Sequence, residues 1–197
     1  MAAMNKNDVL GILQEHGAVV SGHFQMATGL HSPIYIQTAM VLQYPHVAHK
    51  IARALAAKFP QECDVVVALG TSSIILGQEL ARVKKCRAIF AEKTGGALAL
   101  RRDFKLERGE KALLIQDVLA SGGLVSEMTA LARARGAKTL GVGALVDRSE
   151  AALCLDIPVR ALVSYPLEAS PEKSCPQCAS GVPLTKARQA PGPQEGE

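Results

Sequence analysis

The residues best suited to chemistry lie in one stretch, Lys111-Ala-Leu-Leu-Ile-Gln-Asp-Val-Leu-Ala-Ser-Gly-Gly-Leu-Val-Ser-Glu-Met128. The Asp117 carboxylate can hold ribose hydroxyls or a Mg²⁺ ion, and the Gln116 amide beside it can exchange hydrogen bonds with the same hydroxyls. Ala120, Ser121, Gly122 and Gly123 form a turn that tolerates positive φ, and Leu124, Val125, Met128, Leu131 and Ala132 then recur at helical spacing. Such a turn aims backbone N–H groups and a helix N-terminus at one spot, which favours an anionic phosphate, and Ser121 adds a hydroxyl donor. The same residues also suit an ordinary strand-to-helix turn with a capping serine and a solvated aspartate.

Three further places carry polar groups at the ends of apolar runs. Gly70-Thr-Ser-Ser73 follows Asp64-Val-Val-Val-Ala-Leu69, so Thr71, Ser72 and Ser73 offer hydroxyls beside another helix start; taken alone this is equally a plain turn. Lys93, Arg101 and Arg102 flank Gly95-Gly96, a composition suited to a mobile basic flap or to a solvated basic hairpin. Asp147-Arg148 closes Thr139 to Val146, and the planar fork of Arg148 can meet a carboxylate bidentately or form a structural salt bridge. Cys175-Pro-Gln-Cys178 lacks a second pair or a nearby histidine in sequence, so it is an incomplete zinc set, and no protein-held metal is expected.

The elements that must position these groups follow from periodicity. Ala112 to Ile115 has the length and apolar continuity of a strand buried on both faces, ended by the Gln116-Asp117 pair. Asp64 to Leu69, Cys86 to Ala91, Thr139 to Val146 and Val159 to Tyr165 read as further strands. Helices are expected from a cap at Asn7 or Asp8 to about Gly17, over Pro45 to Lys58, and over Ile74 to Arg82. Ala18 to Gln37 reads as an antiparallel hairpin. The alternation predicts an α/β fold, a doubly wound and mainly parallel sheet with a small N-terminal hood, whose ligands bind at the carboxyl ends of the strands.

A chain of 197 residues accommodates one such domain, expected over 1–186, followed by a Pro-, Gly-, Gln- and Glu-rich tail over 187–197 expected to be disordered. The 48% hydrophobic and 4% aromatic content, with no Trp, predicts an aliphatic core and argues against base-stacking platforms for nucleic acid. A net charge of +4 suits a small anionic substrate and is too low to argue for DNA binding. No run approaches the roughly 18 apolar residues of a membrane helix. Asn5, Lys6, Asn7 and Asp8 occupy the place of a signal core, so a cytoplasmic location without a membrane partner is expected. Five cysteines in that setting read as reduced thiols, with Cys63, Cys86 and Cys154 in or beside core segments.

The order strand, Gln116-Asp117, two apolar residues and Ala120 to Gly123 resembles the phosphoribosyl diphosphate (PRPP) signature of type I phosphoribosyltransferases, with Gln116 where the first acid usually stands and Ala120 and Gly123 where hydroxyl residues do. Gly22-His-Phe-Gln-Met-Ala-Thr-Gly-Leu-His-Ser-Pro-Ile-Tyr-Ile-Gln37 resembles the segment of orotate phosphoribosyltransferases that lies over the base, with Ala27 in place of a Lys or Arg. The resemblance covers about residues 8 to 185. It implies transfer of the phosphoribosyl group of PRPP to orotate, giving orotidine 5′-monophosphate and pyrophosphate, with Mg²⁺ held mainly by the diphosphate and a homodimer as the minimal unit. By the same resemblance the loop at Thr71 to Ser73 holds pyrophosphate, Lys93 reaches it from a flexible loop, often of the neighbouring subunit, Asp117 serves the ribose, Arg148 meets the orotate carboxylate, and Thr28 and Tyr35 lie in the hood at the ligand. Thr94 replaces the family's aspartate after the lysine, and the loop is short. A weak or inactive sensor of PRPP or a pyrimidine nucleotide would account for Ala27, Gln116 and Ala120 together, and a phosphoribosyltransferase for another base would keep the PRPP turn with a different hood.

Overall fold

The computed structural model describes residues 4–26, 28–149, 155–166 and 168–187. In chain order these form α1 (Lys6–Glu15), β1 (Val19–Gln25), β2 (His31–Ile36), α2 (Ala39–Leu42), α3 (Pro45–Ala57), β3 (Val65–Leu69), α4 (Ser73–Lys84), β4 (Arg87–Thr94), β5 (Ala97–Leu100), β6 (Lys111–Leu119), α5 (Gly123–Ala134), β7 (Lys138–Asp147), β8 (Val159–Ser164), a 3₁₀ turn at Glu172–Ser174, α6 (Pro176–Ala179) and β9 (Thr185–Lys186). The readings made for Ala27, Cys154 and residues 188–197 lie outside the described residues. Ala187, expected to begin the tail, is described and buried.

Six strands form one sheet in the order β5-β4-β3-β6-β7-β8, parallel throughout except for β5. All five residues of β3 are buried, as the unbroken apolar run requires. Alternate side chains go to opposite faces: Val66, Leu113 and Ile115 pack with Ile51, Leu55, Leu76 and Leu80 of α3 and α4. Val65, Val67, Leu69, Ala112 and Leu114 pack with Val125, Met128 and Ala132 of α5. Gly77 brings α4 close to the sheet, since a Cβ there would lie 3.0 Å from the Cβ of Ala68. From β3 the chain crosses through α4 to β4 on one side, while β6 lies on the other. The gap between the ends of β3 and β6 is therefore where strand order reverses.

A second sheet, β2-β1-β9, forms the hood. Its β1–β2 pair is the expected antiparallel hairpin, with a register irregularity between Ser21 and Phe24, and β9 adds to β1 in parallel. This return of the C-terminal segment sets Cys175 and Cys178 beside His23 and His31, so the cysteine pair, isolated from histidine in sequence, is not isolated in space.

Three local differences from the sequence reading have physical causes. The cap of α1 is Asn5, because its side chain accepts from the N–H groups of Asn7 and Asp8 while Asp8 reaches back to the Asn5 N–H. The Gln116-Asp117 pair does not end its strand: β6 continues to Leu119 because its ladder with β7 runs on to Asp147. β4 runs past its expected end at Ala91 to Thr94 because it pairs residue by residue with β5, and Gly95-Gly96 close that hairpin.

Candidate functional site

Asp117 sits near the carboxyl end of β6 and is held from both sides. Its Oδ1 accepts from the Ser73 hydroxyl at 2.8 Å and its Oδ2 from the Thr38 hydroxyl at 2.5 Å. Its own N–H donates to Ser73 Oγ at 2.9 Å. A carboxylate with hydroxyl donors on each oxygen has a fixed plane and keeps lone pairs for one more partner. Ser73 also lies 2.8 Å from the Leu69 carbonyl, and its single proton serves either acceptor. It is completely buried. Ser73 therefore positions Asp117, whereas the sequence reading grouped it with Thr71 and Ser72 as an open hydroxyl; those two are exposed at the tip of β3.

Gln116 is half-buried, and its Oε1 is the one buried side-chain polar atom among the described residues that has no hydrogen-bond partner. A buried oxygen left without a donor costs about 1–3 kcal/mol, and this one belongs to the residue next to Asp117 in the chain.

The turn after β6 leads straight into α5. Gly122 is the N-cap in the left-handed region, φ 72°, with no side-chain cap, so the first N–H groups of α5 are served by neither an earlier turn nor a side chain. Ala120, Ser121 and Gly123 are exposed there. The Arg148 N–H donates to the Leu119 carbonyl at 2.9 Å, which brings the end of β7 against this turn. The carboxylate of Asp147 accepts from the N–H and hydroxyl of Ser149, and the Arg148 guanidinium approaches the Met26 sulfur at 3.8 Å. Met26 begins the hood turn that exposes Thr28, and Tyr35 lies against Phe24 with ring centroids 5.7 Å apart. Arg148 thus sits where core and hood meet.

The cations lie on the β4–β5 hairpin. Lys93 Nζ is 3.6 Å from Glu127 of α5, whose other oxygen accepts from the Leu98 N–H at 3.2 Å. Arg101 lies 3.4 Å from the Thr94 hydroxyl. Arg102 pairs with Glu92 at 3.2 Å and stacks over the Phe90 ring, so it is engaged within the hairpin. The structure therefore assembles Gln116, Asp117, Ser73, Thr71, Ser72, the 120–123 turn and Arg148 around the β3/β6 gap. Lys93 and Arg101 lie on the β4–β5 hairpin, Lys93 against Glu127 of α5 and Arg101 against Thr94. Two contributors escaped the sequence reading: Thr38, a buried residue in a linker without a motif, and Glu127, a helix-surface acid whose partner is set by the hairpin.

Comparison with known proteins identifies the family of the chain. Over 184 residues the chain is 39% identical to orotate phosphoribosyltransferase of Caldicellulosiruptor saccharolyticus, covering 93% of this chain and 96% of that one. The chain belongs to the orotate phosphoribosyltransferase family. The enzyme of that name from Thermus thermophilus is 37% identical over 179 residues, 90% of this chain and 98% of that one. No family model matches the chain. Among solved structures, orotate phosphoribosyltransferase from Aeropyrum pernix aligns with TM-score 0.66 at 17% identity over 79% of this chain and 93% of that one. An adenine phosphoribosyltransferase aligns with TM-score 0.59 at 17% identity over 77% and 99%. These two likenesses establish the fold that orotate phosphoribosyltransferases share with other type I enzymes.

Proposed function

We propose that the chain transfers the phosphoribosyl group of PRPP to orotate, releasing pyrophosphate, as a cytoplasmic enzyme of pyrimidine nucleotide synthesis. The observation that carries this reading is the pairing of a clamped Asp117 with the orphaned Gln116 oxygen beside a helix start capped by Gly122. A ribose 5-phosphate fits all three: hydroxyls to donate to Gln116 and Asp117, and a phosphate for the N–H groups of α5. Breaking the anomeric bond places positive charge on the sugar and negative charge on the departing diphosphate. Asp117 favours the first, and Thr71, Ser72 and the basic hairpin favour the second. In this reading Arg148, between core and hood, meets the orotate carboxylate with its planar fork.

Mg²⁺ fits this site as a companion of the diphosphate. It binds through one or two carboxylates, substrate phosphates and water, and Asp117 is a single carboxylate with two hydroxyl donors already on it. Bound with the diphosphate, Mg²⁺ supplies neutralisation of the leaving group's charge. A homodimer is supported by the side chain of Lys93, which is 56% exposed on an edge hairpin and available to a neighbour.

The deciding measurement is orotate consumption, followed by absorbance, with PRPP and Mg²⁺. Loss of orotate absorbance that requires PRPP is the expected result. PRPP binding by calorimetry without any turnover would instead establish a sensor.

A further inference from the structure

Two histidines of the hood and two cysteines of the C-terminal segment converge on one point. His23 of β1, His31 of β2 and Cys175 are at most 5% exposed, and Cys178 is half-buried. One ligand atom from each can be chosen so that all four lie within 4.8 Å of one another. His23 Nε2 is 3.0 Å from His31 Nδ1, 3.4 Å from Cys175 Sγ and 3.6 Å from Cys178 Sγ, and Cys178 Sγ is 3.2 Å from His31 Nδ1. An ion about 2.3 Å from sulfur and about 2.0–2.1 Å from nitrogen in a tetrahedron separates its ligand atoms by about 3.3–3.8 Å. The four groups already have close to those dimensions.

The hydrogen bonding around them points the same way. His23 Nδ1 lies 2.8 Å from the Val182 carbonyl. A carbonyl only accepts, so Nδ1 carries the proton and Nε2 keeps a lone pair aimed into the cluster, the orientation that a carbonyl imposes on a metal-binding imidazole. Cys175 caps α6 and Cys178 follows within its single turn, which sets both sulfurs on the same side. Elsewhere the same segment is tied to the hood by Gln177, which donates to the Gly22 carbonyl at 2.8 Å, and by the Ser170–His31 backbone bridge.

We propose that His23, His31, Cys175 and Cys178 bind one Zn²⁺ in a closed tetrahedral site that staples the C-terminal segment to the hood. Two thiols give up their protons on binding, two neutral imidazoles donate lone pairs, and two thiolates balance the ion's charge, so the buried site is neutral. The mixed sulfur and nitrogen set selects Zn²⁺ over Mg²⁺. Four protein ligands leave no open position, which makes the site structural and separate from the phosphoribosyl chemistry.

The test uses the full untagged chain purified under reducing conditions without chelator, with metal measured by mass spectrometry. About one zinc per chain is expected, and cobalt exchange should give the intense visible bands of tetrahedral Co²⁺ together with a thiolate charge-transfer band. In Cys178→Ser the charge-transfer band should fall by about half, and in His23→Gln the zinc content should fall by about tenfold or more. Should either variant fail to fold, the cobalt spectrum of the unaltered chain decides alone. Less than about a tenth of an ion per chain after incubation with Zn²⁺, weak octahedral cobalt bands, or a Cys175–Cys178 disulfide that persists in the chain purified under reducing conditions would overturn the proposal.

Discussion

At the scale of the residue, Gln116 and Asp117 divide the work of an acidic pair. An amide can hold a ribose hydroxyl but supplies no negative charge toward a cationic sugar, and the lost charge-assisted bond is worth about 1.5–3 kcal/mol, roughly ten- to a hundredfold in rate. Gln116→Asp should therefore raise kcat by up to that factor, and Asp117→Asn should lower it by at least as much. Steady-state kinetics with orotate and PRPP read both changes; if neither moves the rate, the strand-end acid has no catalytic part. Thr38 belongs to the same account, since its hydroxyl donates to Asp117 Oδ2. Thr38→Val keeps the shape of the buried side chain and removes that donor, so kcat should fall by about tenfold with KM for orotate little changed. A fall in orotate affinity alone would place Thr38 in the packing of the hood instead.

At the scale of the element, the sequence was informative where one periodic pattern settled the outcome. The buried runs at 65–69 and 112–115 are strands, and the glycine turn at 120–123 opens a helix, because apolar continuity and a positive-φ requirement each leave few alternatives. Pairing partners were not legible. Whether β6 stops at its polar pair depends on how far β7 continues beside it, and how far β4 runs past Ala91 depends on its registry with β5. The Thr38–Asp117 and His23–Cys178 contacts join residues 79 and 155 positions apart, a separation no local pattern encodes. The turn at Gly122 carries its own prediction. Its φ of 72° is strained for a β-branched residue, and relief of that strain would shift the first N–H groups of α5 that the proposed phosphate uses. Gly122→Val should abolish PRPP binding in calorimetry while circular dichroism stays native; unchanged affinity in a folded variant would remove the turn from the site.

At the scale of the whole molecule, two expectations concern stability and assembly. Burial, reinforced by the neighbouring Cys63 sulfur, raises the Cys86 thiol from 9.0 to about 12. The native thiol then stays protonated where the unfolded one ionises, so this contribution to stability is complete below pH 9 and is lost as pH rises toward 12. Urea midpoints should fall across that window, and less steeply in Cys86→Ala; equal slopes would show that other groups set the alkaline limit. The proposed dimer gives Lys93 a testable part. Its hairpin forms the sheet edge, and its side chain, with the ammonium 3.6 Å from Glu127 of α5, is more than half exposed there, so in the proposed dimer the lysine is open to a neighbouring site. In a two-fold dimer the arrangement is reciprocal: each site would combine Asp117 of one protomer with Lys93 of the other. Lys93→Ala and Asp117→Asn should each be nearly inactive alone. When the two are unfolded and reassembled together, about half of the dimers are mixed, and each mixed dimer holds one site with both residues intact, so about a quarter of normal activity should return. If Lys93 served its own protomer, every site in every mixed dimer would carry one defect and nothing would return. Recovery near zero with mixed dimers demonstrated by native mass spectrometry would reject a lysine shared across the interface, and a monomer by sedimentation with full activity would reject the dimer itself.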